Sequence, residues 1–243
     1  MRNITKKILA GFTILAITLP AFSLTANEIA KKYEESTKYK SSVMTATLTI
    51  KDSLGTSVQQ LKSYSDGDTN TLIEIIDGPD RGQKVLRKDS SIYLYYPDAD
   101  QVIRLQGSAL KESFMGSDFS YEDLSDDASI LNDYTVEITN ETDDTYTLFL
   151  TAKTRKMTYQ KQELVIDKQN FYLKSATLMS SSGRALRSLE NSDIKLIDGY
   201  YIAETTVMKD LIKQQGSTKM EIDSIELDKK INPSIFTKEN LSW

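Results

Sequence analysis

The chain contains no histidine and no cysteine among its 243 residues. A histidine-based triad, a thiolate nucleophile and an ordinary zinc site are therefore excluded. What remains for acid–base chemistry is carboxylate pairs, Glu122/Asp123 and Asp126/Asp127. Adjacent acidic residues in a short run read as a solvated loop. Asp66-Gly67-Asp68 is too short for a calcium loop and falls where a hairpin turn is expected. No catalytic residue, metal site or cofactor is expected from these residues.

The stretch from Gly107 to Leu124 has a different character. Phe114, Met115, Phe119, Tyr121 and Leu124 are set among Gly, Ser and Asp. A connection running through water normally avoids that many large apolar groups. Two readings stand side by side: the segment folds back onto a core, or it is a lid over an apolar cavity. Gly116 would supply a hinge or tight turn, and Asp118 a cap on its own local turn.

The elements around this segment are mostly strands. At the start, Arg2, Lys6 and Lys7 precede an apolar run, Ile8–Leu19, that is too short to span a bilayer and is broken by Pro20. Residues 1–26 are thus expected to be a secretory signal peptide, with 27–243 a single domain. Without the three leader cations the formal charge moves from −5 to −8. That acidic balance disfavours nucleic acid as a partner. With no cysteine, neither a thiol-linked lipid anchor nor a disulfide is available. A soluble monomer in the periplasm is expected.

A helix is predicted from Asn27, as N-cap, to about Tyr39, with Ile29, Ala30, Tyr33 and Thr37 on one face. From Val43 the period changes to two, and Met44, Ala46, Leu48 and Ile50 fall together opposite a row of threonines. Short, turn-separated runs continue to Leu227, about a dozen strands in all, an antiparallel pattern rather than βαβ. A sheet of that size must curl toward a barrel or split. The apolar wall is expected to include Met44, Ala46, Leu48, Ile50, Leu72 and Ile76. Met44, Met115, Met179 and Met208 are adaptable fillers. Tyr93, Tyr95 and Tyr96 are ordinary strand tyrosines, and Arg87, Arg104 and Arg155 are expected on the solvated convex face. Ile231, Ile235, Phe236 and Leu241 should dock an irregular C-terminal segment on the sheet. An integral outer-membrane barrel is rejected: Glu239 and Thr237 break the alternation back from Trp243, and the charges are dense.

In this order, Gly78-Pro-Asp-Arg-Gly82, Val85-Leu86, Ile92-Tyr-Leu-Tyr-Tyr-Pro97, Val102-Ile-Arg-Leu105, Ser113-Phe-Met-Gly-Ser-Asp-Phe-Ser-Tyr-Glu-Asp-Leu124 and the ending from Asn232-Pro233 to Leu241 resemble the LolA-like periplasmic lipoprotein-sorting family. The resemblance implies a mainly β fold: a strongly curved antiparallel sheet, an incomplete barrel, with helices and a loop over its concave face. It implies a carrier that holds lipoprotein acyl chains, or a related lipid, and delivers them toward the outer membrane. An inner-membrane transporter as donor and an outer-membrane acceptor would be its partners. The alternative within the same fold is an extracytoplasmic sensor or exporter-associated adaptor that carries no lipid. Physics favours an apolar pocket for such cargo, since each buried methylene contributes about 0.8 kcal/mol.

Overall fold

The computed structural model describes residues 23–67, 69–89, 91–123, 129–213 and 216–242. Helix α1 (Ala26–Ser36) is followed by β1 (Ser42–Asp52), β2 (Gly55–Ser65), β3 (Thr71–Asp77), β4 (Lys84–Lys88), β5 (Ser91–Tyr96) and β6 (Gln101–Leu105). After a long connection come α2 (Ile130–Asp133), β7 (Tyr134–Glu141), β8 (Thr145–Ala152), β9 (Lys161–Asp167), β10 (Leu173–Met179), β11 (Ala185–Ile197), β12 (Tyr200–Asp210) and β13 (Ser217–Leu227). The expected signal peptide lies largely outside the described residues. Among those described, no helix is long and apolar enough to cross a membrane.

Helix α1 starts earlier than its sequence suggests. Thr25, not Asn27, is the N-cap, in a reciprocal capping box with Glu28. Thr25 can cap because its hydroxyl accepts from the Glu28 N–H while the Glu28 carboxylate accepts from Thr25 N, at 2.8 Å. The Glu28 carboxyl is held below its usual range, first by that backbone hydrogen bond.

All thirteen strands form one antiparallel sheet, in the order β6-β5-β4-β3-β2-β1-β13-β12-β11-β10-β9-β8-β7, not closed into a barrel. The chain meanders outward from β1 to one edge, crosses to the other edge, and meanders back until β13 pairs with β1. The two edge strands, β6 and β7, are consecutive in sequence. Their connection, which contains the Gly107–Leu124 stretch, is therefore obliged to span the sheet.

Directly opposed residues in a ladder share a face. Following the pairing, Ile138, Leu148, Leu164, Ala176, Leu189, Met208, Thr218 and Ile50 form one row across the sheet. That row is the concave face, and it carries two apolar clusters. Over β7–β10, α1 and α2 bury Ile29, Ala30, Ile130, Leu148, Leu150, Leu164 and Ile166. Over β1–β5, the crossing segment buries Phe114, Phe119 and Tyr121 against Ala46, Leu48, Ile50, Leu61, Ile73, Ile75, Val85, Ile92 and Leu94.

A third cluster lies on the convex side, where Phe236 and Leu241 of the C-terminal segment cover Leu72 and Leu86. This corrects two wall assignments. Leu72 faces the C-terminal segment, and Ile76, of the same parity, is 41% exposed. Thr71–Ile76 is apolar on both faces, so alternation alone could not choose, and Ile73 and Ile75 are the concave pair. Arg87 is corrected in the opposite sense. It is buried, and its opposition to Thr71 and Ile92 sets it on the concave face. Arg104 stands opposite Tyr93 on the convex side, as expected.

Candidate functional site

The Gly107–Leu124 segment is tied to itself before it is tied to the sheet. Phe114 N donates to Phe119 O and Ser117 N to Phe114 O, both at 2.8 Å. Met115 and Gly116, at φ 50° and 73°, turn the chain back at the tip; left-handed backbone is tolerated freely by glycine and costs a side chain like methionine. The loop so closed places the Phe114 and Tyr121 rings edge-to-face, 5.7 Å apart, inside the core. Burial first of all pushes the Tyr121 hydroxyl up to about 12.

Three acidic residues then fasten the segment. Asp118 does not cap its own turn: its N–H donates to Thr218 Oγ1 at 2.8 Å, and that hydroxyl donates back to the Asp118 carboxylate at 3.0 Å. Thr218 is fully buried on β13. Asp123 pairs with Arg187 of β11, with side chains only 10% and 12% exposed. Its carboxylate also accepts from Tyr159 Oη at 2.8 Å and from Ser120 N at 2.7 Å. Glu122 accepts from Thr158 Oγ1 at 2.5 Å. Glu122/Asp123 is thus a half-buried anchor rather than a solvated loop. Adjacent carboxylates look alike in sequence whether they face water or an arginine some sixty positions on. Tyr159 is pushed above its ordinary range, chiefly by burial and then by Asp123. Leu124, Asp126, Asp127 and Asp68 lie outside the described residues.

The two covers leave a strip of the concave face between them. On β1 and β13 the opposed pairs are Met44 with Ile225, Ala46 with Ile222 and Leu48 with Met220. The β-bulge at Thr45/Ala46 is absorbed opposite Asp223, so the apolar parity survives it. Ala46 and Leu48 are buried, whereas Met44, Met220, Ile222 and Ile225 are half-buried. Leu189 of β11 touches both concave clusters. Beyond it, Thr206 Oγ1 donates to Asn191 Oδ1 at 2.8 Å and Asn191 Nδ2 to Leu173 O at 3.0 Å, so the polar pair in the strip is satisfied. A cavity of about 200 Å³ continues the strip under α1, lined by Tyr33, Tyr172, Leu173, Tyr201 and Ile202 among others.

Of the expected site residues, the fold gathers Met44, Ala46, Leu48 and Ile50 with Phe114, Met115, Phe119 and Tyr121 in one concave cluster. Gly116 sits at the tip beside them. Sequence reasoning missed Met220, Ile222 and Ile225. The alternation Thr218, Met220, Ile222 carries their signal, but the bulge puts Ile225 out of step. It also missed Arg187 and Tyr159, for which no local pattern exists. No cluster of three or more acidic side chains that could hold a metal occurs among the described residues.

A family model described only as "-like: Uncharacterized protein" matches residues 67–243. No curated protein matches. Among solved structures, a DUF1329 family protein from Desulfovibrio piger has a TM-score of 0.81 at 22% identity, covering 89% of this chain and 97% of that one. A protein domain from Vibrio parahaemolyticus named for outer-membrane lipoprotein sorting has a TM-score of 0.77 at 23% identity, with coverage of 89% and 97%. A LolA superfamily protein from Nitrosomonas europaea has a TM-score of 0.73 at 25% identity, with coverage of 90% and 100%. The chain belongs to the family that this model describes, and its structural neighbours are LolA-superfamily and DUF1329 proteins and a domain named for outer-membrane lipoprotein sorting.

Proposed function

We propose that the protein is a periplasmic carrier that binds acyl chains along the uncovered concave strip and releases them toward the outer membrane. The observation that carries this reading is the half-buried row Met44, Met220, Ile222 and Ile225, set between the two covers of the concave face. A strand face this apolar is ordinarily sealed by packing. Left half-open between two covers, it is the wall of a groove for a flexible apolar ligand, and methionines adapt to such a ligand. The Phe114–Tyr121 segment acts as the lid. Displacing it would extend the groove over Leu48 and Ile50. Its polar ties to Arg187 of β11, Thr218 of β13 and Thr158 and Tyr159 ahead of β9 are contacts that must break.

The likeness to proteins named for lipoprotein sorting supports the choice of cargo: the acyl chains of a lipoprotein, or a lipid with the same chains. An inner-membrane donor and an outer-membrane acceptor would stand at the two ends of the route. The strip itself is lined by Met44, Met220, Ile222 and Ile225, side chains with no acid–base or nucleophilic group, so a binding role accounts for it more simply than an enzymatic one. The test is extraction and mass spectrometry of lipid from protein purified out of the periplasm without detergent. Acyl-bearing molecules in stoichiometric amount support the carrier. Protein that is lipid-free, and that also fails to bind an added fatty-acyl probe, would favour the sensor or adaptor reading instead.

A further inference from the structure

β12 is fully paired on one side only. Its ladder with β11 runs from Tyr200 opposite Ile197 to Asp210 opposite Arg187. Its ladder with β13 is short, from Thr205 opposite Glu221 to Met208 opposite Thr218. β13 stays with β1 to its own end, where Leu227 faces Ser42. Beyond Thr205 and Glu221 the two strands therefore separate, and the sheet is split between them. The bulge in β13 accounts for this. Asp223, the extra residue opposite Thr45/Ala46, falls two positions past the last pair with β12. A bulge bends its strand and increases the local twist, which is one way for pairing to end.

At its far end the split is closed by side chains instead of a ladder. Tyr200 Oη donates to Asp228 Oδ2 at 3.2 Å, and Asp228 Oδ1 accepts from Lys40 N at 2.8 Å. The Tyr39 and Tyr200 rings meet edge to face there, 6.1 Å apart. The opening so framed has two backbone edges. Successive residues of an antiparallel strand aim their N–H and C=O groups to alternate sides. In residues 201–204 the groups aimed away from β11 have no ladder partner, and neither do those of residues 222–226 aimed away from β1. No backbone hydrogen bond outside the ladders reaches them among the described residues. Such groups need partners wherever water is partly excluded, and residues 201–204 are half-buried.

We propose that the split takes a short extended peptide, the stretch of polypeptide next to the acylated residue of the cargo. A row of alternating donors and acceptors is matched along its length by another main chain. An acyl chain offers it nothing. The peptide pairs with the free edges of β12 and β13, while Ile222 and Ile225 of the same β13 carry the apolar strip, so the two parts of one ligand lie side by side. Naming the peptide as part of the cargo rests on the carrier reading above; the strand pairing does not. Main-chain pairing is largely indifferent to side chains, so one slot serves cargoes of many sequences. It also sets them apart from a fatty acid or a phospholipid, which brings acyl chains and no peptide.

The experiment uses four probes: an N-palmitoyl pentapeptide amide of alternating serine and alanine, the same molecule N-methylated at every peptide nitrogen, palmitoyl ethanolamide, and the N-acetyl pentapeptide. Binding is measured by calorimetry, and amide hydrogen exchange is followed residue by residue by NMR. Before any addition, amides on the free edges within 201–204 and 222–226 should exchange at least tenfold faster than those of β8, which is paired on both sides. The palmitoyl pentapeptide should slow them, and should bind at least tenfold tighter than palmitoyl ethanolamide or the N-methylated form. The acetyl pentapeptide, at higher concentration, should slow the same amides. The proposal is overturned if the N-methylated form binds as tightly as its parent, if no amide at the split slows, or if those amides are as slow as β8 at the outset. If the palmitoyl group adds nothing to binding while the acetyl pentapeptide still slows the amides, the carrier reading fails and the peptide slot stands.

Discussion

Leu48→Glu separates a sealed wall from an open one. Leu48 is 2% exposed, opposite Met220 on one side and Gln59 on the other, and packed beneath the Phe114–Tyr121 lid. The Gln59 amide is engaged by Asp80 through both of its ends, at 2.7 and 3.3 Å, and is not free to receive a new carboxylate. Losing the leucine costs about 2–5 kcal/mol in a site of this kind, and an unpaired carboxylate adds several more unless it stays protonated or reaches water. A total of about 5 kcal/mol or more is a large share of the roughly 5–15 kcal/mol that holds a domain folded. For a chain of this length that corresponds to a melting temperature about 10–20 °C lower. Ile222→Glu, two strand positions away on the half-buried strip, should cost about 1 kcal/mol and leave the melt within a few degrees. Thermal melts followed by circular dichroism on the two variants make the comparison. If Leu48→Glu melts within 3 °C or so of the parent, the lid does not seal this wall, and the division of the concave face into covered and open parts is wrong.

Arg187→Met should destabilise the protein by about 3–5 kcal/mol, because Asp123 is left buried without its cation; hydrogen exchange should then rise in residues 112–123 before it rises in β8. The same change combined with Asp123→Asn should recover much of the loss, and failure to recover would mean the pair is not what fastens the lid. Alkaline pH should loosen the lid. Tyr121, raised by burial from about 10 to about 12, holds its proton more tightly when folded. Its stabilising contribution is therefore complete below pH 10 and lost as pH rises from about 10 to 12, on the order of 2–3 kcal/mol. Melts between pH 9 and 11.5 should fall more steeply for the parent than for Tyr121→Phe, and parallel curves would contradict this. Gly67→Ala should cost more than 1 kcal/mol, because the residue adopts φ 74° and an added Cβ would lie 2.3 Å from the Tyr39 carbonyl oxygen; an unchanged urea midpoint would show that the turn moves freely.

The strands were legible because period-two alternation and turn chemistry agree along most of the chain. Ser91–Tyr96 and Thr145–Ala152 fall where those rules put them. The strand faces were legible only where one side is polar. In β1 the threonines settled the matter, and Met44, Ala46, Leu48 and Ile50 do share the concave face. In β3 both sides are apolar because the C-terminal segment covers the convex side, so alternation does not tell the Leu72 and Ile76 side from the Ile73 and Ile75 side. The lid could be recognised by its excess of large apolar groups, but not its fastening. The pairing of Asp123 with Arg187 depends on β11 lying across from the lid, a fact of sheet order and not of local sequence. Arg87 is illegible for the converse reason: a charge in a strand reads as solvated unless the ladder is known.

The central claim is that the half-buried strip between lid and α1 receives acyl chains. A fatty-acyl probe carrying a diazirine near its terminal carbons, photolysed on the purified protein and mapped by peptide mass spectrometry, tests it directly. The expected labels fall on Met44, Met220, Ile222 and Ile225, with weaker labelling of Phe114 and Leu48 when the lid lifts. Labels confined to the convex face, around Tyr93, Leu72 and Phe236, or no saturable labelling at all, would contradict the account.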